Sequence, residues 1–401
     1  MGDVSRSISF AFITPSQRRL TLICFGFWVG SFLTMPTGLT YAQTGAGQME
    51  SDAGIQVERL QIPNNPDPIP VWVLRIPVSA RQELALRPIW PDPSSLMGTA
   101  ELEQMAAQQG TVAAINAGFF NRNTRQPIGA LRLDGRWMSN PILGRGVMAW
   151  DDAGTVQFGR VRFEAAITTQ IGDRIPVVGL NTAYILPGLS QVTPDWGLTY
   201  TTQTDDETLI TIQADRVIAI QTAAAAGSLT LGIPVDGYLL AARELDGQLQ
   251  AQKLLVGDQL WLVWSLDSPE LAALPHMVGA GPLLIQDGAI VLDAELERFQ
   301  PSFITQRAAR SAIGLTAEGS LLWVVAGQAQ ESTGLTLAET AALMQQLGSV
   351  QALNLDGGNS STLVWQGQAL NLSDPSPGDE SGTSPPSPWR PRVHNGIGLF
   401  R

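Results

Sequence analysis

The stretch Ala352-Leu353-Asn354-Leu355-Asp356-Gly357-Gly358-Asn359-Ser360-Ser361-Thr362 decides how the rest of this 401-residue chain is read. An apolar, strand-like run delivers one carboxylate, Asp356, to a Gly-Gly corner. Small hydroxyl residues follow, and then a second apolar run, Leu363-Val364-Trp365. Glycine accepts φ > 0, and asparagine tolerates it better than most side chains. Successive N–H groups of such a corner can turn inward as a nest for an anionic oxygen. The same pattern also describes a plain hairpin, because Asp-Gly between apolar runs is a strong turn signal. Residues elsewhere must separate the two readings.

Moving toward the amino end, Leu335 to Leu347 predicts a helix with Thr336 as cap and Glu339 completing a capping box. Gly348 closes it, and Val350 to Leu355 returns as a strand into the Asp356 corner. Arg307 and Arg310 precede the strand-like Ala312-Ile313-Gly314-Leu315. In an acidic chain, arginines at a strand mouth suit bidentate contact with an anion, and surface ion pairs are the plainer account. Val278-Gly279-Ala280-Gly281-Pro282-Leu283-Leu284-Ile285 opens a strand with glycines, which permit close approach of a ligand or of another strand. Further upstream, Thr99 to Gln109 predicts a helix capped by Thr99, striped by Leu102, Met105 and Ala106 and ended by Gly110. The buried strand Val112 to Ile115 leads into Asn116-Ala117-Gly118-Phe119-Phe120. The phenylalanines read as core, whereas a buried amide such as Asn116 needs partners and suits a ligand hydroxyl. On the other side of the opening stretch, Asp374 to Pro391 is a Pro/Ser/Gly loop, and Val393 to Phe400, containing Asn395, is a final strand.

Arg18-Arg19, the apolar run Leu20 to Leu33 and Thr40-Tyr41-Ala42 have the order of a secretory signal peptide over residues 1–42. This predicts export to the periplasm or beyond. The run is shorter than the roughly 20 residues that span a bilayer, so no permanent membrane anchor is expected. The single cysteine, Cys24, lies inside it, so disulfides are not expected in the mature chain. Residues 43–54 read as a linker and 55–401 as one domain with a strand-rich middle part at about 150–265. The net charge of −12 argues against non-specific nucleic-acid binding. Two histidines, His276 and His394, are too few for an ordinary zinc site. Calcium held by carboxylates and carbonyls is compatible with the composition, although no spacing marks a site. Metal ligands are therefore unassigned, and no cofactor is called for.

The expected fold class is α+β: a mixed central sheet with packed helices and a strand-rich middle region. The strands at Ile115, Ile313 and Leu355 are short, nearly continuous apolar runs, as strands covered on both faces are. They are expected to be neighbours in that sheet, with the Thr99 and Thr336 helices over it and with Asn116, Arg310 and Asp356 converging on one cleft.

Taken in order, Asn116 to Phe120, Gly279 to Pro282, Arg310 to Gly314, Leu337 to Gly348 and Asn354 to Ser361 resemble the phosphodiester glycosidases, over roughly Val71 to Phe400. The resemblance implies an exported glycosidase that hydrolyses a sugar-1-phosphodiester, or a related glycosidic bond, in envelope or exopolysaccharide material. Its partner would be a carbohydrate or sugar-phosphate substrate. Asp356 would face the anomeric carbon, while Arg310 and the Gly357-Gly358 nest stabilise the departing phosphate. Asn116 and Asn395 would hold sugar hydroxyls, with Gly281, Asn359 and Ser360 completing the substrate surface. Glu331 and Asp236 are the candidates for a second carboxylate. Asn359 stands where the family usually has a glycine, and Ala326-Gly327-Gln328 stands where it commonly has Asp-Gly-Arg. These departures leave a second reading, a non-catalytic sugar-binding or exopolysaccharide-assembly protein.

Overall fold

Strands with two buried faces organise the fold, and their side chains sort by alternation. Along the Ile69–Ile76 strand, Trp72, Leu74 and Ile76 enter one core while Val71 and Val73 enter another. Along Leu321–Ala326, Leu321, Trp323 and Val325 join the first core and Leu322, Val324 and Ala326 the second. Successive side chains of a strand point to opposite faces, so such runs read as unbroken apolar sequence. The computed structural model describes residues 54–64, 66–328, 334–372 and 390–401, with the backbone of 49–50. The signal-peptide segment, Glu331 and most of the linker and of the 374–391 loop lie outside the described residues. Among those described, no helix is long and apolar enough to cross a membrane.

An eight-stranded antiparallel sheet is centred on Ile69–Ile76, Leu321–Ala326, Arg310–Thr316, Ser349–Asn354 and Leu283–Gln286, neighbours in that order. The Leu337–Gln346 helix covers its outer face through Ala341, Leu343 and Met344. Its inner face meets a five-stranded sheet, whose strands Leu363–Trp365, Thr111–Asn116, Gly396–Phe400 and Ala85–Ile89 are also antiparallel. Ala113, Ile115, Leu363, Trp365, Ile397 and Leu399 point from it into the shared core. The Leu102–Gln109 helix closes the far side through Leu102, Met105 and Ala106. A second five-stranded sheet, including Gly146–Trp150 and His276–Gly279, joins the same core through Met148, Trp150 and Val278. The strand-rich middle forms a separate seven-stranded sheet drawn from residues 163–266.

The protein is therefore mainly β, with 46% strand and 14% helix, and the α+β expectation is corrected. Both faces of the central strands are covered as the apolar runs require. The inner face, however, is covered by other sheets rather than by helices. The expected three-strand neighbourhood is corrected too. Ile313 does pair with Leu353, but the Ile115 strand pairs with Ile397 and Leu363 in the facing sheet. An apolar run of six residues specifies burial, not which sheet receives it.

The two predicted helices differ at their amino ends. Thr336 accepts from the Glu339 N–H, and the Glu339 carboxylate accepts from the Thr336 N–H, forming the capping box. Thr99 does not cap, because Ala100–Glu101 is still extended and pairs with Arg392–Val393; the helix starts at Leu102. Gly110 ends it with φ 74°, a left-handed conformation that glycine adopts without strain.

Candidate active site

After Asn354 the chain leaves the eight-stranded sheet, makes the Asp356 corner and enters the facing sheet at Leu363. The corner is thus the crossing between two sheets and not a hairpin within one. Its backbone is tied on both sides, with Leu355 N–H donating to the Ser311 carbonyl at 2.9 Å and Asp356 N–H to the Ala117 carbonyl at 2.8 Å. Gly357 is extended, at φ −117° and ψ −163°, and a Cβ there would stand 2.9 Å from the Ala309 carbonyl oxygen. Close backbone approach is what requires glycine at this position. Gly358 is left-handed, at φ 59°, and opens the short 3-10 turn Gly358–Ser360. Asn359 lies inside that turn, exposed, and is not left-handed.

Asp356 is partly exposed, yet protein surrounds its carboxyl closely enough that desolvation raises its pKa to about 6. The Ser360 hydroxyl, the positive charge of Arg122 and the Gly357 N–H oppose that rise without cancelling it. Part of the expected nest thus serves the protein's own carboxylate. Gly358 N–H donates to Ala309, and Ser360 N–H closes the turn on Gly357.

Asn116 sits directly behind the corner, fully buried. Its amide nitrogen donates to the Asp356 carbonyl at 2.6 Å, and its oxygen accepts from the Ser311 hydroxyl at 2.7 Å and the Thr362 N–H at 3.0 Å. It staples the two sheets beneath the carboxylate. Replacing it with alanine strands buried groups on three segments and should cost about 2–4 kcal/mol, readable as a shifted urea midpoint. An unchanged midpoint would sink this positioning role.

Arg310 is buried alongside Gly357, its Cδ 3.7 Å from where a Gly357 Cβ would be. Its guanidinium donates to the Leu335 carbonyl at 2.9 Å and the Gln306 carbonyl at 2.5 Å, and lies 5.2 Å from the Phe303 ring centroid. Burial lowers its pKa to about 10. The side chain therefore braces the corner through backbone carbonyls. Arg307 donates to the Gly334 carbonyl and pairs with Glu339, as a surface arginine does.

The Asn395 side-chain oxygen accepts from Gly118 N–H at 2.7 Å, and its nitrogen donates to His394 Nδ1 at 3.0 Å. His394 Nε2 in turn donates to the Leu96 carbonyl at 2.8 Å, and burial lowers the imidazole pKa to about 4. Gly281 is crowded by protein: a Cβ there would meet Glu297 Oε2 at 2.6 Å. Asp236 belongs to another corner, at the end of an interior strand of the seven-stranded sheet, where it accepts from Gln213. Asp356, Ser360, Gly357, Gly358, Asn116 and Arg310 are brought together. Asn395 lies behind Gly118, and Gly281 lies against Glu297.

Sequence reasoning missed Arg122, the exposed cation whose field reaches Asp356. It follows the Phe119–Asn121 strand, which pairs with Gln126–Ile128 in a small hairpin. Asn121 Oδ1 caps the intervening turn by accepting from the Asn123 and Thr124 N–H groups. The Asn-Arg-Asn sequence was a readable turn signal. Its nearness to Asp356 exists only after the sheets pack. Among the described residues no group of three or more acidic, histidine or cysteine side chains could hold a metal ion.

The crossing between the two sheets thus sets one desolvated carboxylate, Asp356, within the field of the exposed Arg122. The family model described as phosphodiester glycosidase matches residues 206–400, and over that stretch the chain is similar to the family. Over 138 residues it is 33% identical to the mouse N-acetylglucosamine-1-phosphodiester alpha-N-acetylglucosaminidase, a match covering 34% of this chain and 24% of the mouse protein. Among solved structures, a hypothetical protein from Synechocystis superposes with a TM-score of 0.77 at 37% identity, covering 86% of this chain and 62% of that one. A protein from Burkholderia pseudomallei shares the fold, with a TM-score of 0.65 at 21% identity over 83% of this chain and 74% of that one. The chain thus spans about a quarter of the mouse relative and under two thirds of the Synechocystis chain.

Proposed function

We propose that the protein hydrolyses the anomeric C–O bond of a sugar-1-phosphodiester in exported envelope or exopolysaccharide material. The observation that carries this reading is the Asp356 carboxyl, held near pKa 6 beside Arg122 on the sheet crossing. In the reaction, water adds to C1 while the C1–O bond breaks, and the bridging oxygen leaves with the phosphate. Asp356 either takes the proton of the attacking water or attacks C1 itself, and the anomer first released distinguishes the two. Glycosidases commonly use two carboxyl groups, the second to protonate a poor alkoxide leaving group. Among the described residues Arg122 is the one charged side chain whose field shifts Asp356. A single carboxylate is adequate when the leaving group is a phosphate, which needs charge stabilisation more than a proton. This favours a phosphodiester over an ordinary glycoside.

Incubation with UDP-GlcNAc and a panel of sugar-phosphodiester oligosaccharides tests the reading. Released sugar supports it, and none from any substrate at high enzyme concentration overturns it. Binding of the same compounds without turnover would instead identify a sugar-binding protein, the reading that Ala326-Gly327-Gln328 and Asn359 leave open. Because the working form of Asp356 is the anion, kcat/KM should fall about tenfold per unit below pH 6 and level off above it. A profile flat from pH 4.5 to 7 would remove Asp356 from the reaction.

A further inference from the structure

Arg145 packs against Phe119, two residues beyond the Ala117 carbonyl that holds the Asp356 N–H. Its guanidinium carbon lies 4.0 Å from the Phe299 ring centroid and 5.6 Å from that of Phe119. Nε donates to the Glu297 carbonyl at 3.2 Å. The terminal nitrogens make no hydrogen bond, and the side chain no ion pair, among the described residues. The nearest acid is already committed: the Glu297 carboxylate accepts from Gly146 N–H, Leu283 N–H and Arg160 Nε. Burial lowers the Arg145 pKa, with Tyr184 and Glu297 acting in the opposite direction. Arg145 is partly buried, its terminal nitrogens have no protein partner among the described residues, and its planar fork matches two oxygens of a phosphoryl group.

Phe119 connects this cation to the reacting centre. It begins the short strand that Arg122 follows, and the Ala117 carbonyl just before it holds the Asp356 N–H. We propose that Arg145 recognises a second phosphoryl group in the leaving group, so that the preferred substrates are sugars joined to their aglycone through a diphosphate. Arg122 serves the phosphate attached to C1, and Arg145 the phosphate beyond it. This inference rests on the sugar-phosphodiester reading above.

Calorimetry with inorganic pyrophosphate and with inorganic phosphate tests the cation pair without requiring turnover. The protein should bind pyrophosphate about tenfold or more tightly than phosphate. Arg145→Gln should bring that ratio close to one, and Arg145→Lys, which keeps the charge but not the fork, should fall between. Equal affinities in the unaltered protein, or a ratio preserved in a folded Arg145→Gln, overturn the inference. Turnover of UDP-GlcNAc against the methyl phosphodiester of GlcNAc-1-phosphate separates the two levels. Hydrolysis of both with no preference for the diphosphate defeats the Arg145 role alone. Hydrolysis of neither defeats the reading on which it rests. A thermal melt of each variant confirms that it is folded.

Discussion

Asp356→Asn should abolish most turnover while making the protein more stable. Loss of a group acting in proton transfer typically lowers the rate about 10²–10⁴-fold. The stability gain follows from linkage. The folded protein holds the Asp356 proton up to about pH 6, whereas the ordinary value is 3.8. Below about pH 4 both states are protonated and burial of the group carries no charge penalty. Between about pH 4 and 6 the folded state binds more protons than the unfolded one, so stability falls as pH rises. Above about pH 6 the full penalty applies. Asparagine cannot ionise, and its side-chain oxygen can still accept from Ser360 and Gly357. At pH 7 the substitution should therefore stabilise by about 1–3 kcal/mol, the upper limit being reduced by the partial exposure of the carboxyl. The gain should vanish near pH 4. Urea titrations at the two pH values, together with kcat/KM, give the answer. An Asn variant with full activity, or one less stable than its parent at pH 7, would contradict the assignment.

The largest loss of stability is expected from Glu297→Ala. This fully buried carboxylate accepts from Gly146 N–H at 2.8 Å, Leu283 N–H at 2.9 Å and Arg160 Nε at 2.8 Å. It thereby joins strands of two sheets to the segment that precedes the Arg310 strand. Removing one partner of a buried ion pair leaves the other charge uncompensated, at a cost of about 3–5 kcal/mol. Arg160→Ala should cost less, because that side chain is 23% exposed and water can replace part of its role. Denaturant midpoints of the two single variants and the double variant would measure the coupling. A Glu297→Ala midpoint within the error of the parent would show that the carboxylate does not hold these segments together.

The crowding at Gly281 has the same origin. A glycine-rich strand entrance reads equally as a ligand approach or as a tight crossing, and the buried carboxylate fills the space a Cβ would need. Nothing near Gly281 in the sequence announces Glu297, which lies further along in a segment without strong periodicity.

By itself the sequence determined local structure at several places. The capping box at Thr336 and Glu339, the stop at Gly110 and the turn at Asp356 depend on neighbouring residues, so local chemistry was enough to read them. The apolar runs at Ile115, Ile313 and Leu355 likewise specified strands buried on both faces. Only the tertiary structure decided what lies on each face, because hydrophobic burial is non-directional and a sheet covers a sheet as well as a helix does. The mainly β architecture follows from that choice. The same limit applied to the site. Arg310 and Asn116 were recognisable as polar groups at buried strand ends, but whether they meet a ligand or the backbone depends on carbonyls and hydroxyls supplied by distant segments. Arg122 and Arg145 acquire their meaning from packing alone, since the field at Asp356 and the ring beneath a guanidinium come from segments far apart in sequence.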